Sequence, residues 1–217
     1  LCPKFMTTLP KSGTYLLNHI LRLEWPVYEG KRINFKFRDC EKWYFQYCFI
    51  SPGRHHIRGH IGYSEPILQL IGNRIPFFLY RDPRDIIVSW AYYMDETPDN
   101  SPIATIKGVD IKHSSDRIAV LIETLPFIVR PFLGWLDYEK IISLRFEDII
   151  NNPEQALEPV AAVIPEPLEY LVARSKMRAS PTYRRAKLGN WHDEFQPHHI
   201  KAFEAIWGDI MDRMRYE

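Results

Sequence analysis

The sequence predicts an α/β fold: a central, mostly parallel β-sheet flanked by helices, built by one domain over residues 1–217. Three observations predict it. Short strand-like segments at Lys4–Thr8, Ile57–Tyr63, Ile75–Tyr80 and Lys140–Arg145 alternate with stretches whose apolar residues recur at helical spacing. Two of these runs pass through a tight polar loop straight into a helix, the same strand–loop–helix unit met twice. The 217 residues are 46% hydrophobic, enough for one packed core.

In order, Lys4–Thr8 reads as a short strand, and Leu16, Leu17, Ile20, Leu21 and Leu23 mark the helix after it. Ser12 suits the N-cap between them. Trp43–Ile50 is aromatic and apolar and fits a buried strand or a helix equally; Pro52-Gly53 closes it. Ile57–Tyr63 is a strand running into a loop, and Ser64–Ile71 a helix ended by Gly72-Asn73. Ile75–Tyr80 is a buried strand leading into Arg81-Asp82-Pro83-Arg84-Asp85. There Asp82 suits the N-cap, Pro83 the first helical position, and Asp85 the acid of a capping box. Thr97–Ser115 has two prolines and little periodicity and is expected to be a long loop, of the kind that forms a lid or a substrate loop or is disordered. Arg117–Trp135 holds helix divided at Pro126 and Pro131. Lys140–Arg145 is a strand; Pro153–Val163, Pro167–Ser175 and Pro197–Met214 are helices; Arg178–Asn190 is basic and irregular.

Net charge is +1, so no global field points to nucleic acid or an acidic membrane surface. Three cysteines without metal-type spacing do not make a disulfide framework. No apolar run is expected to reach transmembrane length, no signal-peptide pattern is visible, and the sequence starts at Leu1.

The chemistry gathers at Pro10-Lys11-Ser12-Gly13-Thr14. A strand-to-helix loop leaves first-turn N–H groups unpaired, Gly13 permits close backbone approach, and Lys11 adds a full charge. The pattern predicts an anion site, a phosphate above all. It is not the common nucleotide loop, in which the Lys follows the second Gly. The plainer alternative is an ordinary strand–turn–helix connection with a surface Lys.

Several motifs in this order resemble the sulfotransferases that use 3′-phosphoadenosine 5′-phosphosulfate (PAPS), the cytosolic small-molecule type more than the Golgi carbohydrate type. The resemblance covers nearly the whole chain. It implies a P-loop-like sulfotransferase fold, with Lys11, Ser12, Gly13, Thr14 and Tyr15 at the 5′-phosphosulfate and Leu16 where the family places a Trp beside the adenine. Arg81, with Ser89 eight residues on, matches the 3′-phosphate site, and Arg184, Arg185 and Ala186 would hold that phosphate from the other side. Ala186 stands where the family has a glycine. Arg58-Gly59-His60 matches the catalytic Lys-x-His, and Phe146-Glu147-Asp148 the family's Tyr-Glu-Asp. The implied activity is sulfuryl transfer to the hydroxyl or amine of a small-molecule acceptor, with adenosine 3′,5′-bisphosphate (PAP) as product. His60 is the implied general base, Lys11 and Arg58 stabilise charge, and the scheme needs no metal.

The resemblance further implies a cytoplasmic location. The family's dimer motif is replaced by Gln196-Pro197, so no oligomeric state is carried over. Thr97–Ser115, Arg38–Tyr47 and the loop around Tyr63 are expected to line the acceptor pocket. His55, His56 and His60, and separately His198 and His199, lack the Cys or acidic partners of a zinc site. Glu147 and Asp148 read as structural, capping the helix that follows. Two other functions stay open: ATP-dependent phosphoryl transfer, against which the missing Gly-rich Lys-Ser/Thr loop counts, and a non-catalytic module binding adenosine bisphosphate.

Overall fold

The computed structural model describes residues 3–23, 32–33, 46–50, 56–99, 101, 103–176 and 188–217. Arg38, Arg184, Arg185 and Ala186 lie outside these residues. The structure divides into two compact units, Leu1–Arg81 with Gly134–Ala186, and Asp82–Leu133 with Lys187–Glu217.

The first unit carries the sheet. Its strands are β1 (Lys4–Thr8), β2 (Arg32–Ile33), β3 (Gln46–Ile50), β4 (Ile57–His60), β5 (Ile75–Tyr80) and, late in the chain, β8 (Ile142–Arg145). They lie in the order β2-β3-β4-β1-β5-β8. Pairings β4–β1, β1–β5 and β5–β8 are parallel, whereas β3 runs antiparallel to both β2 and β4. The sheet is therefore mostly parallel, as expected. The open choice at Trp43–Ile50 resolves as a strand for its described part, Gln46–Ile50. All five residues of β1 are buried. Side chains alternate faces along a strand, so both faces of β1 are covered, and β5, buried likewise, reads as an unbroken apolar run.

Helices α1 (Thr14–Ile20), α2 (Glu65–Ile71), α6 (Phe146–Asn151), α7 (Pro153–Ala161) and α8 (Leu168–Ser175) belong to this unit, with α8 packed on α1. Beside them the buried Arg174 of α8 pairs with Glu166 at 2.6 Å. Lys4 Nζ donates to Leu21 O at 2.8 Å, satisfying a carbonyl at the end of α1. Phe146-Glu147-Asp148 does not precede a helix, as expected, but begins α6; its two acids fall in the first turn, where the helix dipole favours them.

The second unit is helical: α3 (Pro83–Glu96), α4 (Arg117–Thr124), α5 (Pro126–Val129), α9 (Trp191–Glu194) and α10 (Pro197–Met214). Asp82 caps α3, accepting from the Arg84 N–H at 2.8 Å. Asp85 forms no capping box. Its carboxylate instead accepts from the Gly189 N–H at 3.0 Å and the Trp191 N–H at 3.2 Å, and the Arg84 guanidinium lies 4.3 Å from the Trp191 ring centre. The first turn of α3 thus fastens the C-terminal end of the basic stretch, at Gly189 and Trp191.

Thr97–Ser115 is not structureless. It folds into a hairpin of β6 (Thr105–Ile106) and β7 (Val109–Asp110), turned at Lys107 and Gly108, both at positive φ (50° and 80°) as the favoured hairpin turn requires. Ala104, Ile106 and Ile111 bury one side of it. Two-residue strands are too short to show a period, which is why the sequence reads as loop.

The expectation that no run reaches transmembrane length is corrected by Arg117–Asp137, a 21-residue stretch whose most apolar 18-residue window has mean hydropathy 1.5. It passes by length and composition alone. Pro126 and a 3-10 stretch from Arg130 divide it, and Leu121, Ile122, Leu125, Val129, Phe132 and Trp135 are buried within the protein.

Candidate active site

Parallel strands present their carboxyl ends along one edge, where ligands of such sheets bind. In the first unit that edge carries the Leu9–Gly13 loop after β1, His60 ending β4, Arg81 after β5 and Phe146 after β8.

The loop opens as a turn. Ser12 N–H donates to Leu9 O at 3.2 Å, Pro10 sits second and Lys11, at φ 66°, third. This is the pattern of a type II turn, whose third position normally takes Gly. A lysine held there carries backbone strain, a common mark of a functional loop. Gly13 follows at φ 98°. A Cβ on Gly13 would stand 2.8 Å from the Phe146 ring, so both space and conformation demand glycine. Ser12 is not the N-cap. Gly13 occupies that position, because the buried Ser12 hydroxyl turns away to the carbonyls of Leu9 (2.6 Å) and Leu79 (3.2 Å). Helix bonding starts with Leu17 N–H to Gly13 O at 3.2 Å, which leaves the N–H groups of Thr14, Tyr15 and Leu16 facing the loop mouth. Tyr15 is exposed there.

Thr7 pairs with Gly59 in the parallel register of β1 and β4, which sets His60 beside Thr8. His60 Nδ1 lies 2.9 Å from Thr8 O and 3.1 Å from Thr8 Oγ1. A carbonyl only accepts, so Nδ1 carries the proton and Nε2 holds the basic lone pair. Nε2 makes no hydrogen bond among the described residues. Burial lowers the His60 pKa from its ordinary 6.5 and the Lys11 charge lowers it further, while the bond to Thr8 O opposes them. Arg58, two residues before His60 and on the same face of β4, is buried, and burial lowers its pKa too. The residue after His60 is clamped. Thr7 Oγ1 accepts from the Ile61 N–H (3.0 Å), and Ile61 O receives Thr7 Oγ1 (2.8 Å) and the indole N–H of Trp135 (2.8 Å). Tyr63 meets the same indole edge-on at 5.1 Å.

The Arg81 guanidinium lies 4.7 Å from the Phe146 ring centre, so one ring backs both Gly13 and Arg81. Lys11, Ser12, Gly13, Thr14, Arg58, His60 and Arg81 therefore belong to one edge of the first unit. Ser89 is half-buried two turns into α3, in the second unit.

No protein-family model and no curated protein sequence matches the chain. Among solved structures it is similar to mouse sulfotransferase SULT7A1 complexed with PAP, at 16% identity and a TM-score of 0.64, over 99% of this chain and 84% of that one. The chain has the sulfotransferase fold. Retinol dehydratase in complex with androsterone and inactive cofactor PAP aligns at 14% identity and a TM-score of 0.47, over 75% of this chain and 55% of that one. A sulfotransferase from Alicyclobacillus acidocaldarius aligns at 14% identity and a TM-score of 0.35, over 94% and 95%.

Within this sulfotransferase fold the sequence reading missed several partnerships. Thr8, an unremarked end of a buried strand, is the residue that touches both His60 and Thr14. The expectation that His198 and His199 lack an acidic partner is corrected by Asp116, whose carboxylate lies 3.0 Å from His198 Nε2 and 2.9 Å from His199 Nε2. The chemistry there is that of a cap. Gln196 N–H donates to His199 Nδ1 at 3.0 Å, so the neutral ring carries its proton on Nε2 and gives it to Asp116; a metal at Nε2 would displace that proton. Asp116 also caps α4 through the Ala119 N–H. Burial works to raise its pKa, but the Ala119 N–H and the two imidazoles hold it down at about 2. Because that lies below the ordinary carboxylate value, Asp116 adds stability above about pH 4 that is lost as pH falls towards 2. Melting temperature measured from pH 5 to 2 is expected to fall more steeply in the wild type than in Asp116→Asn.

Proposed function

We propose that this chain is a sulfotransferase that moves the sulfuryl group of PAPS to a hydroxyl or amine of a small-molecule acceptor. The observation that carries the reading is the meeting of an imidazole and a phosphate-type loop: His60, with its basic nitrogen uncommitted, is hydrogen-bonded through Thr8 to the threonine that opens α1.

The residues fit the donor. Its 5′ end needs a cradle of N–H groups, hydroxyls and positive charge, for which Gly13, Thr14, Tyr15 and Lys11 stand ready, with Ser12 bracing the turn. Its 3′-phosphate needs planar cations, a role given to Arg81 on its Phe146 backing. Ser89, Arg184, Arg185 and Ala186 are assigned to that phosphate on their spacing in the sequence alone. When bound, PAPS supplies a sulfuryl group and a phosphate leaving group. His60 Nε2 takes the acceptor's proton as the acceptor attacks in line. Lys11 meets the charge that grows on the departing phosphate oxygen, and Arg58, on the same face as His60, neutralises the sulfuryl oxygens. The lowered His60 pKa keeps the base neutral, hence active, at pH 7.

Thermal unfolding with adenosine 3′,5′-bisphosphate, ATP with magnesium, and AMP tests the reading. The bisphosphate alone is expected to stabilise, by about 2.7 kcal/mol at a hundredfold excess over its Kd. Stabilisation by ATP instead would hand the site to phosphoryl transfer. Tight bisphosphate binding without transfer to any acceptor in a broad screen would leave a binding module.

A further inference from the structure

We propose that Thr8 is a positioning residue that couples the base to the leaving group: a hydroxyl chain from His60 through Thr8 to Thr14 lets proton uptake at one end strengthen hydrogen bonding to the departing phosphate at the other. The inference rests on the donor reading above and adds to it a residue that the sequence motifs leave without a task.

The direction of the chain follows from donors and acceptors. Thr8 O, a carbonyl, fixes the proton on His60 Nδ1, 2.9 Å away. That N–H also faces Thr8 Oγ1 at 3.1 Å, which accepts it. The Thr8 hydroxyl proton then has Thr14 Oγ1, 2.8 Å away, as its acceptor. The Thr14 hydroxyl proton is left to point out of the loop, towards the place given to the 5′-phosphate. Thr8 is fully buried, which shields the middle of the chain from water, while His60 and Thr14 at its ends are half-buried.

The step balances without any proton moving along the chain. The acceptor oxygen forms its bond to sulfur and gives its proton to His60 Nε2. The bond from sulfur to the phosphate oxygen breaks, and its electron pair stays on that oxygen. His60 becomes an imidazolium, and its Nδ1–H becomes a charge-assisted donor, the stronger and shorter kind. Thr8 and Thr14 keep their own protons and donate more strongly in turn, reaching the phosphate as its charge grows. Lys11, on the loop after β1, is the charged group that opposes protonation of His60, alongside its burial, which makes a cooperative partner on the leaving group more valuable.

The test is an NMR titration of the His60 imidazole in wild type, Thr8→Val and Thr8→Ser, each with and without adenosine 3′,5′-bisphosphate, with melting temperatures as the folding control. Nitrogen shifts should first show an Nδ1–H ring in the wild type; an Nε2–H ring overturns the relay at once. The bisphosphate should then raise the His60 proton affinity about threefold more in wild type and in Thr8→Ser than in Thr8→Val, which retains only the through-space attraction. Turnover should follow, down about tenfold in Thr8→Val and restored in Thr8→Ser. Equal ligand-induced shifts in Thr8→Val and wild type overturn the relay while leaving the donor reading intact. A wild type that the bisphosphate does not stabilise overturns the donor reading and the relay with it. If Thr8→Val fails to fold, Thr8→Ser still decides, since a loss of coupling with the hydroxyl retained contradicts the proposal.

Discussion

His60→Ala is expected to lower kcat by about 10²- to 10⁴-fold, the range that a positioned general base supplies, while the Kd for adenosine 3′,5′-bisphosphate stays within about twofold. The split follows from position. His60 ends β4 with Nε2 uncommitted, whereas the groups assigned to the phosphates sit on the β1 loop and after β5. The pH profile carries the second half of the prediction. A base works deprotonated, and burial together with the Lys11 charge lowers its pKa from 6.5. The acidic limb of kcat/KM should therefore lie below pH 6.5 in the wild type and vanish in His60→Ala. Steady-state rates with labelled PAPS across pH 5 to 8 check both parts. Wild-type turnover in His60→Ala would remove His60 from the mechanism.

Lys11 is the second large effect, and its backbone supplies an internal control. Lys11→Ala and Lys11→Gly both delete the ammonium and should both lose about 10²- to 10³-fold in kcat, the scale for one preorganised charge donor. They differ in the turn. At φ 66° an alanine still carries the left-handed cost of about 1 kcal/mol that glycine escapes. Lys11→Gly should thus melt above Lys11→Ala yet be equally inactive, which separates the charge from the loop conformation. Both should also move the acidic limb of any residual activity upward, since the Lys11 charge no longer holds the His60 pKa down. Lys11→Gly activity within tenfold of wild type would assign the loop's work to its backbone alone.

What could be read without coordinates was whatever rests on neighbours in sequence. The buried strand Ile75–Tyr80 announces itself because a strand covered on both faces reads as a near-continuous apolar run, and Pro197–Met214 because eighteen residues are enough to show a helical period. Asp82 as a cap was equally legible, since its partner is two residues away. The Lys11–Gly13 loop was legible as an anion site because glycine placement and charge lie in one short run.

Only the tertiary structure decided the rest, and in each case the reason is the distance along the chain to the partner. Ser12 fails as a cap because its hydroxyl turns to Leu9 O within the loop and to Leu79 O on the neighbouring strand, the second of them 67 residues away. Asp85 leaves its own helix for Gly189 and Trp191, more than a hundred residues on. Asp116 finds two histidines 82 and 83 residues away. Thr8 meets His60 across 52 residues through the parallel register of β1 and β4. The sequence by itself determined the kinds of element and the chemistry of the loop, because propensity, period and turn geometry are local. Which polar groups satisfy one another was decided by the fold, because a buried hydroxyl or carboxylate takes the nearest partner in space, and sequence spacing does not encode that nearness.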